Sequence, residues 1–235
     1  MTATRKEIIA IDGPSGSGKS TVSRMLARRM HCLYLDTGAM YRAVALAANR
    51  KGIGPEENSR LGRLCRSLEL RFDRTQDPPR LLLAEEDITG AIRTPGMDLL
   101  ASRISAVKEV RDAMADLQRR MAGEGPLVAE GRDMGTVVFP DAGVKFFLTA
   151  GVETRARRRY LERTGRGEKV ALDRVEEEME ERDHQDATRA LSPLRPADDA
   201  VIIDSSGMTP EEVAEKMLGA IKEKWGGARF LRNSS

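Results

Sequence analysis

The sequence predicts an α/β fold, a doubly wound parallel sheet of five strands that carries two insertions. Three observations predict it. Short β-branched or aliphatic runs alternate with amphipathic helical stretches along most of the chain. A glycine-rich loop of defined spacing joins the first run to the first helix. A hairpin and an arginine-rich segment then stand outside the alternation.

The first strand is Ile8-Ile9-Ala10-Ile11, β-branched and buried. It leads into Gly13-Pro14-Ser15-Gly16-Ser17-Gly18-Lys19-Ser20, which fits the pattern Gly-x4-Gly-Lys-Ser/Thr, and Thr21 adds a second hydroxyl. Phosphate oxygens must be met by several backbone N–H groups at once. That needs glycines where the chain bends back and where a Cβ would hold the backbone off the ligand. Val22, Met25, Leu26 and Met30 recur at helical spacing beyond Gly18. The loop therefore ends at a helix N-terminus, whose N–H groups and dipole face the β- and γ-phosphates of a nucleoside triphosphate. Lys19 reaches those phosphates as a mobile charge, and the Ser20 hydroxyl sits on Mg2+.

Cys32-Leu33-Tyr34-Leu35 is the second strand, closing in Asp36-Thr37-Gly38 ahead of a helix over 39–46. Thr37, Gly38 and the first helical turn lie at the C-terminal edge of a strand, where open α/β sheets bind ligands. Arg42 is placed either to meet a second phosphate or to lie on a solvated helix face.

Residues 53–95 change character: a short helix on Leu61, Leu64, Cys65 and Leu68 precedes a hairpin of 70–73 and 81–84 around the turn 76–79. Such antiparallel strands do not belong among parallel crossover units and mark an inserted subdomain. Residues 97–121 are helical with a break near Ala106, and Val107, Val110, Met114, Leu117 and Met121 form an apolar stripe with Arg111 beside it.

The third strand, 126–129, ends in Glu130-Gly131-Arg132-Asp133-Met134-Gly135, charged residues between glycines, which suit a site better than a core. The fourth strand is 144–148. An arginine-rich stretch over 153–167 follows, open to three readings: a lid closing on phosphates, a solvated helix face, or a nucleic-acid patch. Its one aromatic is Tyr160 and the acidic stretch Glu176–Glu181 comes next, so the lid ranks first and nucleic acid last. The fifth strand is 200–204, and the last helix opens with Thr209 as N-cap, Pro210 and Glu212 in a capping box, its end from Gly226 to Ser235 fraying.

Lys+Arg 39 against Asp+Glu 37 leaves overall charge near balance, so composition gives no argument for nucleic acid. Two cysteines without paired spacing, no export-type leader and no long apolar run predict a reduced, cytoplasmic protein without a membrane partner. His31 and His184, the only histidines, are too few for a His-based metal site. No guanine-specificity signature or motor-type Asp-Glu strand end is present. Arg42, Arg111, Arg132, Arg158 and Arg189 exceed what one triphosphate needs and suit a second phosphorylated substrate.

The blocks 11–21, 35–42 and 130–140, the last reading Gly-Arg-Asp-Met-Gly-Thr-Val-Val-Phe-Pro from Gly131, resemble the bacterial cytidylate kinases nearly end to end. The resemblance implies phosphorylation of CMP and dCMP by ATP with Mg2+, in a monomeric P-loop nucleoside-monophosphate kinase. It implies core segments 1–36, 126–153 and 171–235, a monophosphate-binding domain over 37–125 that includes the hairpin insertion, and a lid over 154–170. It also implies that Arg42, Arg132 and Arg189 contact the acceptor or transferring phosphate, that Arg158 arrives with the lid, and that Ser102, Arg182 and Asp186 hold the sugar.

Donor and acceptor patterns add a reason for base choice. The exocyclic amine of cytosine suits the Asp133 carboxylate, and its O2 and N3 suit Arg111 and the Thr37 hydroxyl. Uracil would turn O4 toward Asp133 at a cost of roughly 1–3 kcal/mol or more. Arg182 with Asp186, four apart, could also be a plain helix-surface ion pair, and Asp133 could pair with an arginine. An acceptor other than CMP, or a nucleotide switch or ATPase using 155–159 to touch nucleic acid, are the competing functions.

Overall fold

The computed structural model describes residues 7–73, 75–76, 78–94, 96–123 and 125–226. It divides into two compact units, Met1–Leu35 with Ala122–Ser235, and Asp36–Met121.

The larger unit is built on a sheet of strands β1 (Ile8–Asp12), β2 (Leu33–Asp36), β6 (Leu127–Gly131), β7 (Val144–Thr149) and β8 (Val201–Asp204), in the order β2-β6-β1-β7-β8. β1 pairs in parallel with β6 on one side and β7 on the other, and β7 with β8. The five-stranded parallel sheet of the prediction is thus present. Every residue of β1 and β6 is buried, as in a parallel sheet covered on both faces. Ile9, Ile11, Val128, Val144, Phe146, Leu148 and Ile203 pack with Val22 and Leu26 of helix α1 (Lys19–Arg29) and with Val213, Met217 and Ile221 of α8 (Pro210–Trp225). α8 opens in the expected capping box of Thr209 and Glu212, with Pro210 in the first turn. Helices α6 (Val152–Gly165) and α7 (Leu172–Thr188) form a small cluster of their own around Ala156, Val175 and Met179.

Strand order reverses around β1, so the crevice beyond its carboxyl end is the topological switch point where ligands bind in such sheets. The glycine-rich loop sits there. β6 runs two residues further than the sequence suggests, because pairing with β1 continues through Ile11↔Glu130 and Asp12↔Gly131.

In the smaller unit, α2 (Thr37–Arg50) packs with α3 (Asn58–Ser67), α4 (Met97–Ser105) and an antiparallel sheet β3-β4-β5 (Leu70–Asp73, Arg80–Leu83, Glu86–Asp87). Ala39, Ala43, Leu46, Leu70, Leu81, Ile88 and Ile92 form its core. α2 starts two residues earlier than the sequence suggests, since the Asp36 carboxylate caps it by accepting from Ala39 N–H at 2.8 Å. β5 is an addition to the predicted hairpin, a two-residue charged edge with no apolar signal.

The break near Ala106 separates α4 from α5 (Lys108–Ala122) as expected. On α5, however, Gln118 rather than Leu117 takes the fully buried position. The expected frayed end lies, past Gly226, outside the described residues, as does Asp77 in the hairpin turn. Among the described residues no helix is long and apolar enough to cross a membrane.

Candidate active site

The loop after β1 is shaped by its glycines. Gly13 has φ +147°, and a Cβ there would run into the Leu148 carbonyl oxygen of β7. Gly18, at φ +90°, is the left-handed N-cap of α1 and makes no side-chain cap, so the N–H groups of the first turn have no capping side chain there. Three of the loop's carbonyls are taken up by protein donors. Pro14 O accepts from Lys19 Nζ at 2.6 Å, Ser15 O from Arg155 at 3.3 Å, and Ser17 O from the Ser205 hydroxyl at 3.0 Å.

Lys19 is only 6% exposed. Burial, and then the charges of Arg132 and Arg182, push its pKa well below the ordinary lysine value, against the opposing pull of Glu130 and Asp12. A buried ammonium whose neighbouring carboxylates, Glu130 and Asp12, are offset by Arg132 and Arg182 is suited to a phosphate. Ser20 donates to Glu130 Oε2 at 3.0 Å, and the Tyr34 phenol donates to Glu130 Oε1. The Ser20 hydroxyl and the buried Glu130 carboxylate are hard oxygen groups, the kind that Mg2+ takes directly or through its waters. Pro14, Ser15, Gly16, Ser17 and Thr21 complete the stretch between β1 and the first turn of α1.

Beyond the end of β6, Arg132 donates to Asp186 Oδ2 at 2.8 Å, and Arg189 stands 3.6 Å from Asp186 Oδ1 while donating to Ser192 O at 2.6 Å. Burial would raise the Asp186 pKa, but the positive charges of Arg132, Arg182 and Arg189 outweigh it and hold the carboxyl below the ordinary range. Arg182 and Asp186 are therefore more than a surface pair. Asp133 is 2% exposed and is the N-cap of a single π turn, Met134–Val138. Asp12 accepts from the backbone N–H groups of Met134 and Gly135 at 2.8 and 2.7 Å. Burial first, and the Asp133 charge with it, raise the Asp12 pKa to about 6 although those donors and Lys19 oppose.

Arg158 donates to the hydroxyl and carbonyl of Ser205 at 3.1 and 2.7 Å, so Ser205 joins it to the loop. Arg155 is buried and bonds Ala150 O, Ser15 O and Asp183. Arg159 pairs with Glu162, and Arg163 with Glu168 and Glu178, which draws the arginine-rich stretch toward carboxylates.

In the smaller unit Thr37 is the first residue of α2 and is buried. Arg42 lies 3.6 Å from both Asp36 and Asp98. Arg111 donates to Ser105 O at 3.0 Å, with its guanidinium 5.9 Å from the Tyr41 ring centre, and Ser102 lies on α4, its carbonyl accepting from Ser105.

Of the expected residues, the structure brings the loop, Lys19, Ser20, Arg132, Arg182, Asp186 and Arg189 into one electrostatic neighbourhood of the larger unit. Thr37, Arg42, Ser102 and Arg111 stand together in the other unit. Asp12, Glu130, Arg155 and Ser205 stand in the same neighbourhood of the larger unit; from sequence Glu130 is marked only as part of the site-like stretch 130–135, and the other three are given no role there. Glu130 carried a usable signal, as an acid at the C-terminal end of a core strand. The partners of the other three are far away in sequence and leave no local mark.

Fold and loop define the class, a P-loop nucleotide-binding α/β protein. The family described as cytidylate kinase matches residues 9–223. The cytidylate kinase of Geobacter sulfurreducens is 53% identical over 217 residues, 92% of this chain and 93% of that protein. That of Citrifermentans bemidjiense is 49% identical over 226 residues, 95% of this chain and 97% of its own. An uncharacterized protein of Eubacterium ventriosum, 13% identical, superposes with a TM-score of 0.51 over 92% of this chain and 98% of its own, a likeness of fold alone. The chain belongs to the cytidylate kinase family.

Proposed function

We propose that the protein transfers the γ-phosphoryl group of ATP to CMP and dCMP. An oxygen of the acceptor's own phosphate attacks the γ-phosphorus, the bond to the β–γ bridging oxygen breaks, and ADP leaves with CDP or dCDP. The observation that carries the reading is the convergence of Arg132, Arg182 and Arg189 on Asp186 within the field of Lys19, which supports reading a second anion-binding region beside the phosphate loop.

The acceptor phosphate is largely ionised at neutral pH, its second pKa being about 6, so no general base is required. The work is alignment and charge neutralisation. On this reading residues 13–21 cradle the donor's phosphates and Lys19 meets the migrating charge. Ser20, with Glu130 behind it, would hold Mg2+, whose charge offsets that of the phosphate oxygens. Arg132 and Arg189, with Arg42, bind the acceptor or transferring phosphate, and Arg158 exchanges its Ser205 bonds for phosphate when the lid over 154–170 closes. Ser102, Arg182 and Asp186 hold the sugar, while Asp133, Arg111 and Thr37 read cytosine. Segments 1–36, 126–153 and 171–235 act as core and 37–125 as the monophosphate-binding part.

The protein would act as a cytoplasmic monomer. The Cys32 and Cys65 thiols, pushed up by burial to about 11 and about 12, suit a reduced and unreactive state. A nucleic-acid role for 155–159 is disfavoured by the carboxylates already paired with Arg155 and Arg159.

The test is ADP release from Mg-ATP with CMP, dCMP, UMP or AMP offered separately. Turnover with CMP and dCMP, and little with the others, is expected. An equal response to all four would remove the acceptor assignment.

A further inference from the structure

An aspartate at the N-cap of a helical turn ordinarily turns its own carboxylate back onto the N–H of the second or third residue. Asp133 stands in that position ahead of Met134–Val138, yet its side chain makes no capping bond. The N–H groups that need an acceptor are instead met by Asp12, 122 and 123 residues earlier in the chain. One of them, Gly135 N–H, is the donor that Asp133 would itself take.

The geometry is tight. Asp12 is the last residue of β1, 4% exposed, in register with Gly131 of β6 and Phe147 of β7. Both of its oxygens are used, one per N–H. Gly135 has no spare room, since a Cβ there would lie 3.1 Å from the Lys145 side chain and 3.4 Å from Asp12 Oδ2. The turn itself is wound wide, with Val138 N–H reaching Asp133 O at 3.1 Å and Phe139 N–H reaching Met134 O at 2.7 Å. π turns of this kind are rare and gather at functional sites.

We propose that Asp12 is a positioning residue for base selectivity: by capping the 134–138 turn from outside, it keeps the Asp133 carboxylate out of the capping role and directed to the acceptor base. This rests on the reading of Asp133 as the group that accepts from the cytosine amine. Without Asp12 the Gly135 N–H loses its acceptor, and Asp133 is the carboxylate whose place at the N-cap lets it swing in. A carboxylate spent on that bond no longer separates an amine from a carbonyl at position 4 of the pyrimidine.

The experiment compares kcat/KM for CMP and UMP at saturating Mg-ATP in the full chain and in Asp12→Ala, Asp12→Asn, Asp133→Asn and the double variant Asp12→Ala/Asp133→Asn. Asp12→Asn is nearly isosteric and keeps one acceptor oxygen, which covers the case in which Asp12→Ala does not fold. The expected result is a CMP-over-UMP ratio about tenfold lower in Asp12→Ala, an intermediate ratio in Asp12→Asn, and no further loss in the double variant beyond Asp133→Asn. Both Asp12 variants keeping the wild-type ratio, while Asp133→Asn lowers it, would overturn the inference alone. So would an equal loss for CMP and UMP, which marks a merely structural role. A wild-type ratio in Asp133→Asn would instead overturn the reading of Asp133 beneath it.

Discussion

Asp186→Asn removes one negative charge from the centre of the larger unit's site with almost no change of shape. Asp186 is 5% exposed, 2.8 Å from Arg132 and 3.6 Å from Arg189, with Arg182 close enough to lower its pKa. Breaking a buried pair from one side costs about 3–5 kcal/mol, because the remaining charge stays buried without compensation. The Arg132 side chain is 19% exposed, so water meets part of that charge and about 3 kcal/mol is the figure to expect. At 2–4 °C per kcal/mol for chains of roughly this size, ligand-free Asp186→Asn should melt about 6–12 °C below the wild type.

The gap has a definite pH dependence. A carboxyl held below its unfolded value contributes stability that is fully present above that value and is lost as pH falls through the folded one. The difference should therefore be level near neutrality and shrink progressively as pH falls through the ordinary value of 3.8 toward the lower folded one. Thermal unfolding by circular dichroism between pH 3 and 8 checks both statements. A difference under about 1 kcal/mol, or one that does not narrow in acid, would refute the claim that the arginines and Asp186 neutralise one another.

Lys19→Ala should lower turnover by at least about 100-fold, on the scale of losing one preorganised charge donor, while the ligand-free melting temperature stays level or rises, since a poorly compensated buried ammonium is removed. Wild-type turnover would exclude Lys19 from the chemistry. Burial and Arg132 depress the Lys19 pKa, so the negative charge of a bound triphosphate should raise it. Calorimetric titration of the triphosphate in two buffers of different ionisation enthalpy, run over a series of pH values, should show proton uptake that grows as the pH rises, and equal heats at every pH would count against it.

Much of the fold was legible because its signals are local. The strand of 8–12, the loop from Gly13 to Ser20 and the Thr209 capping box each declare themselves within a dozen residues. The two-residue strand Glu86–Asp87 did not, since it is charged and made only by pairing with Arg80–Leu83. Gln118 broke the apolar stripe of α5 for a similar reason: the face a helix buries is chosen by its neighbours, and its amide lies buried with no partner among the described residues. In the site, the loop carries a spacing that chemistry dictates. The bonds from Asp12 to the 134–135 backbone, from Ser205 to Ser17 and from Arg155 to Asp183 join segments far apart in sequence, and no periodicity encodes them.

The central place of β1 has a consequence for how the protein is made. Its sheet partners begin at Leu127 and Val144, so the first strand is synthesised long before either neighbour exists. At about 5–20 residues per second, that wait is on the order of 6–24 s, and the whole of Asp36–Met121 emerges within it. The nucleotide loop thus leaves the ribosome well before the strand that supports it, since Gly13 must close against Leu148. A ribosome-stalled chain ending before Val144 should show no triphosphate protection of its loop against protease. On this account the newborn chain should become able to hold a nucleotide only once translation has passed Val144–Thr149.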